Sequence, residues 1–87
     1  MQQITRQYID DLTYKIIGCA IEVHRQLGPG LIESVYEKCF VKELSLRSLK
    51  YETQLWVPIH YKGIHLDAEL RADVLVEDLI LIELKSL

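Results

Sequence analysis

Leu70-Arg71-Ala72-Asp73-Val74-Leu75-Val76-Glu77-Asp78-Leu79-Ile80-Leu81-Ile82-Glu83-Leu84-Lys85 is the stretch that decides how this chain reads. Two short apolar runs, Leu70 to Val76 and Leu79 to Leu84, flank Glu77-Asp78 and have the length of strands rather than helices. Strands joined by so short a link are antiparallel neighbours. Side chains alternate along a strand, so Arg71 and Asp73 share one face while Ala72, Val74 and Val76 share the other. Glu83 and Lys85 likewise share a face, with Leu84 opposed. With the turn at Glu77-Asp78, Asp73 falls across from Glu83, within reach of a cross-strand neighbour. The second run is nearly continuous in apolar residues, the pattern of a strand buried on both faces, yet it ends in two charged residues.

Upstream, Leu55, Val57 and Ile59 alternate with Gln54, Trp56 and His60, and Pro58 predicts an edge position or an irregular strand. Lys62-Gly63 reads as a hairpin turn into Ile64-His65-Leu66. Before Tyr51 the period is helical. Ile9, Leu12, Ile16, Cys19, Ala20, Val23 and Leu27 form one stripe, ended by Gly28-Pro29-Gly30, where glycine supplies a left-handed cap. Ile32, Val35, Tyr36, Cys39, Phe40 and Leu44 form a second. The order is α-α-β-β-β-β. It predicts an α+β fold, with two N-terminal helices packed on one face of a mainly antiparallel meander sheet.

With 87 residues, 49% hydrophobic and 26% charged, the chain suits one globular domain. No apolar stretch approaches the roughly 20 residues of a membrane span, and the N-terminus does not read as a signal peptide, so a cytoplasmic location without membrane contact is expected. Cys19 and Cys39 match no zinc spacing and read as small core hydrophobes. A net charge of −3 counts against tight, non-specific binding of nucleic acid through phosphate contacts alone. It leaves room for carboxylates that hold a cation.

Two carboxylates held close repel unless one is protonated or a cation lies between them. Lys85 can neutralise one of Asp73 and Glu83. A hard divalent ion, Mg²⁺ or Mn²⁺, would complete the balance, with the Leu84 backbone carbonyl as a further oxygen ligand. Lys85 would then orient water or stabilise negative charge on a phosphate. Spacing alone favours solvated ion pairs, with Asp73 bonded to Arg71, Lys85 or a turn amide.

Ala20 to Glu37, containing Gly28-Pro29-Gly30-Leu31-Ile32-Glu33, strongly resembles the small bacterial and archaeal GxxExxxR family. Leu70 to Val76 and Ile82 to Lys85 resemble its later blocks, in the same order. That family is grouped with the PD-(D/E)XK nucleases. The resemblance implies a restriction-endonuclease-like core, a Mg²⁺ or Mn²⁺ cofactor and a nucleic-acid substrate, DNA or RNA. It implies Asp73 and Glu83 as metal-binding and catalytic carboxylates, Lys85 as the catalytic lysine, and Glu33 as a helix glutamate that reaches the metal or sits solvated at the helix edge. Glu37 stands where the family name places arginine and is given no role; Ala72 replaces the superfamily proline.

The resemblance also implies a further helix and strand after Glu83-Leu84-Lys85, so residues 1–87 read as a single domain lacking those elements. Its last strand would lie at an edge that a second copy or a partner would cover. Two functions follow: a metal-dependent nuclease, or a non-catalytic interaction domain that keeps the fold. His24 could join Glu33 near the site, although a capping or packing role is the expected one, and His60 and His65 read as surface residues. Trp56, Tyr61 and Tyr51 could stack on bases, although packing on strand neighbours is the expected role.

Overall fold

The computed structural model describes residues 3–30 and 32–84, with the side chains of 67–70 outside that description. Helix α1 spans Arg6–Leu27 and α2 spans Glu33–Leu46; strands β1 (Tyr51–Tyr61), β2 (Ile64–Val76) and β3 (Ile80–Ile82) follow. The strands form one antiparallel sheet in the order β1-β2-β3, the expected meander. The segments 64–66 and 70–76, read as separate strands, are continuous in β2, so among the described residues the sheet has three strands rather than four. Asp67, Ala68 and Glu69 interrupt the apolar pattern, but the ladder of backbone donors and acceptors holds on both sides, at Pro58↔Glu69 and His60↔His65. β-ladders depend on those groups more than on side-chain polarity.

Thr5 starts α1, its hydroxyl accepting from the Tyr8 N–H at 3.1 Å. Leu12, Ile16, Cys19 and Val23 recur at three- and four-residue steps and are all buried. Leu27, the last residue of the expected stripe, is 49% exposed, because the helix ends there, beyond the core. Gly28 has φ +75° and ψ −175°, so it is not a left-handed helical cap. It is an extended positive-φ conformation that is essentially confined to glycine, and its N–H still closes on His24 O. In α2, Phe40 and Leu44 are buried and Tyr36 and Cys39 partly so, whereas Ile32 and Val35 at its start are exposed.

Both helices lie over the Ala72-Val74-Val76 face of β2. Leu12, Ile16, Cys19, Val23, Phe40, Leu44, Leu49, Val74, Val76 and Leu84 make one core, with Ile80 and Ile82 packed against it. Burial raises the Cys19 thiol pKa. Arg47, after α2, reaches back over α1 and donates to Lys15 O at 2.9 Å. Gly18 makes that crossing possible, since a Cβ there would collide with the guanidinium.

β3 departs from the reading of a strand buried on both faces. Leu81, on the side away from the helices, is 46% exposed, because β3 is a three-residue edge strand with its core contacts on one side only. Val76–Leu79 is a tight turn: Glu77 (φ 52°) and Asp78 (φ 57°) are both left-handed and the Leu79 N–H reaches Val76 O at 3.0 Å. Lys62-Gly63 forms the other hairpin turn, and the register shifts between Pro58 and His60, at the expected irregularity.

The β1–β2 hairpin is long. Thirteen residues at about 3.4 Å each match the 44 Å longest dimension of the fold. The radius of gyration, 14.6 Å, exceeds the roughly 12 Å expected of a compact chain of this length. The hairpin therefore extends beyond the helix-covered core as an arm.

Candidate functional site

The β2–β3 register is Val76↔Ile80, Leu75↔Leu81 and Val74↔Ile82. Continued by one residue, it brings Glu83 opposite Asp73, as the spacing predicted. The ladder stops at Ile82, however, and the next link is a side-chain one: the Leu84 N–H donates to Asp73 Oδ2 at 2.7 Å. That bond replaces a ladder bond and holds the segment after β3 against β2. Leu84 turns its side chain into the core while Glu83 stays exposed, so the two oppose each other as alternation requires.

Asp73 and Leu84 share a polar cavity of about 230 Å³ with Glu33, Ser34 and Glu37 of α2, Gln54 of β1 and Arg71 of β2. Asp73 and Arg71 reach it from β2, two residues apart; Glu33, Ser34 and Glu37 come from the first turns of α2. Among the expected site residues, Asp73, Glu33 and the Leu84 backbone are thus brought together. Glu83 lines the neighbouring apolar cleft, of about 510 Å³, together with Glu33 and Leu84, which wall both spaces. Lys85 lies outside the described residues. Among the described residues, no three His, Cys, Asp or Glu side chains are grouped closely enough to hold one ion. The available donors near Asp73 are carboxylate and carbonyl oxygens, the hard set that suits Mg²⁺ or Mn²⁺. Mg²⁺ typically needs only one or two carboxylates and keeps several waters.

Gln54 was not singled out as a site residue. It lies in mid-strand at φ 55°, a conformation uncommon outside glycine. Its amide nitrogen donates to Glu37 Oε1 at 2.8 Å, and its carbonyl oxygen accepts from Arg71 Nη2. Glu37 therefore has a structural partner where the sequence suggested no role. The signal for Gln54 was absent because a left-handed residue inside a strand leaves no mark on hydrophobic periodicity.

His24 packs its ring on Tyr36, with centroids 5.3 Å apart, as the packing role predicted. Burial raises the Tyr36 phenol pKa, and its hydroxyl reaches Ala20 O at 3.4 Å. His60 and His65 are cross-strand partners on the arm, exposed, with ring centroids at 4.7 Å. The aromatics of β1 correct the expectation of packing. Trp56 is 64% exposed, on the face away from the helices with its partner Arg71, and Tyr61 and Tyr51, at the two ends of β1, are exposed too.

A family model described as the PD-(D/E)XK nuclease superfamily matches residues 10–87. The chain belongs to the PD-(D/E)XK nuclease superfamily. The match runs from α1 through the Glu83-Leu84-Lys85 segment, so it includes every wall of the polar cavity. Divalent metals are typical of this superfamily, and its chemistry points to nucleic acid as substrate. No curated protein and no solved structure matched the chain. Among the described residues, no helix is long and apolar enough to cross a membrane.

Proposed function

We propose that this chain is a divalent-metal-dependent nuclease domain that hydrolyses phosphodiester bonds of DNA or RNA, within the GxxExxxR branch of the superfamily. The observation that carries the reading is the placement of Asp73. It lies across the continued register from Glu83, beside Glu33 and the Leu84 backbone, in a cavity walled by both helix and sheet residues. Asp73 and Glu83 with the Leu84 carbonyl would hold Mg²⁺ or Mn²⁺, for which one or two carboxylates and several waters suffice, and Glu33, in the same cavity as Asp73, would reach the ion through water. When bound, that ion supplies Lewis-acid polarisation of a phosphoryl oxygen and a more acidic water.

The chain's own groups do the positioning. The Leu84 amide immobilises Asp73 Oδ2, which fixes the direction of the other carboxylate oxygen. Lys85, the lysine of the Glu83-Leu84-Lys85 motif, would supply an ammonium for the negative charge that develops on the phosphate. Asp73, Glu83 and Lys85 are the catalytic residues of this proposal.

The test is calorimetric titration of the purified chain with Mn²⁺, alongside Asp73→Asn, followed by a cleavage assay on DNA and RNA. Binding and cleavage present in the parent and lost in the variant support the reading. A folded parent that binds no Mn²⁺ sinks it. That second result favours the alternative, a non-catalytic interaction domain working through a homodimer or another partner. Two features support that alternative: the exposed Leu81 on edge strand β3 and the apolar cleft beside it.

A further inference from the structure

We propose that the solvent-facing side of the β1–β2 arm binds an unpaired nucleic-acid strand, with Arg71 gripping a phosphate and Trp56 stacking on a base. This deepens the nuclease reading and rests on it. The register makes Trp56 the direct cross-strand partner of Arg71, so both side chains leave the same face of the sheet. Arg71 and Asp73 are two residues apart on β2 and share that face as well. The aromatic ring, the guanidinium and the candidate metal-binding carboxylate therefore form a track leading into the cavity.

Arg71 is suited to an anionic ligand. The Arg71 side chain is exposed, and its hydrogen bond goes to a neutral amide rather than to one of the carboxylates that line the same cavity. Its Nη2 is held by the Gln54 carbonyl, and the Gln54 amide nitrogen is anchored on Glu37. The amide separates Glu37 from Arg71 and orients the guanidinium, leaving most of its five N–H donors for phosphate oxygens. Gln54 is thus a positioning residue.

Trp56 is largely exposed, although it sits mid-strand beside the cavity where a packing role was expected. A flat ring beside a fixed cation offers a stacking surface to a base whose face is open, which a base inside a duplex lacks. The inference is a preference for single-stranded over double-stranded substrate.

Trp56 is the sole tryptophan, so its fluorescence reports directly on the track. A short oligodeoxythymidylate and a duplex of the same length are titrated into the protein with Ca²⁺ in place of the catalytic metal. The single strand is expected to quench Trp56 and to bind at least tenfold more tightly than the duplex. Trp56→Ala, followed by fluorescence anisotropy of a labelled strand, should weaken binding about 5- to 100-fold.

Arg71→Ala should weaken binding and reduce the slope of log K against log salt by about 0.7, one single-strand phosphate contact. Gln54→Ala should weaken binding while keeping that slope, and a purely structural residue would change neither once melting shows the fold intact. Binding without quenching, a preference for duplex, or unchanged affinity in Trp56→Ala would overturn the proposal. If Asp73-dependent cleavage persists in that case, the nuclease reading stands and only the track is lost. A parent that binds neither oligonucleotide overturns the track, and the Mn²⁺ titration then decides the nuclease reading separately.

Discussion

Replacing Asp73 by Ala and by Asn separates two jobs that one carboxylate performs. Asp73 Oδ2 accepts the Leu84 N–H at 2.7 Å in a part-buried setting, and Leu84 itself is only 9% exposed. Asp73→Ala leaves that amide without its acceptor, a loss of about 1.5–3 kcal/mol for a bond to a charged group. Part of the loss is offset. Two carboxylates at the roughly 5 Å of cross-strand neighbours would repel by roughly 1 kcal/mol in largely solvated surroundings, and either variant removes any such repulsion from Glu83.

In metal-free buffer, Asp73→Ala should therefore be less stable by about 1–2 kcal/mol, a Tm lower by roughly 5–15 °C for a domain of this size. Asp73→Asn keeps an oxygen for the amide and should fall within about 0.5 kcal/mol of the parent. Thermal melts repeated in Mn²⁺ then read the second job. At a hundredfold excess over Kd the parent should gain about 2.7 kcal/mol, and neither variant should gain comparably. Equal destabilisation by Ala and Asn would refute the role given to the Leu84 amide. Equal stabilisation of all three proteins by Mn²⁺ would refute Asp73 as a metal ligand.

Two further outcomes follow from the same physical reasoning. Asp78 holds φ 57° at an exposed turn position, so Asp78→Gly should stabilise the fold by about 0.5 kcal/mol after glycine's entropic cost, read as a higher urea midpoint. Glu77→Gly should instead lower it, because the Glu77 carboxylate accepts the Lys50 N–H at 2.8 Å. On α1, the Arg25 hydrogen bonds, with Gln26, hold the Glu22 carboxyl at about 2, below its usual 4.5. Its folded pKa is depressed, so its contribution is present above about 4.5 and is lost as pH falls towards 2. The stability difference between parent and Glu22→Gln should be small, as befits an exposed pair, and should vanish across that acid window in melts recorded against pH.

The sequence by itself determined the helices, both hairpin turns and the antiparallel order. Each rests on local quantities: the three-and-four spacing from Leu12 to Val23, the link at Glu77-Asp78, and alternation through Ala72, Val74 and Val76. It also determined the β2–β3 register up to Val74 and Ile82, because a two-residue link leaves a strand pair little choice. Only the tertiary structure decided the rest. Asp67 to Glu69 remain inside one strand because the ladder with β1 holds on both sides of the register shift there. Leu81 and Trp56 are exposed because two helices cover a single face of the sheet. Gln54 becomes the link between Glu37 and Arg71 through a backbone conformation that no side-chain pattern encodes. Neighbours distant in sequence meet through packing, and packing is a property of the whole chain rather than of any window within it.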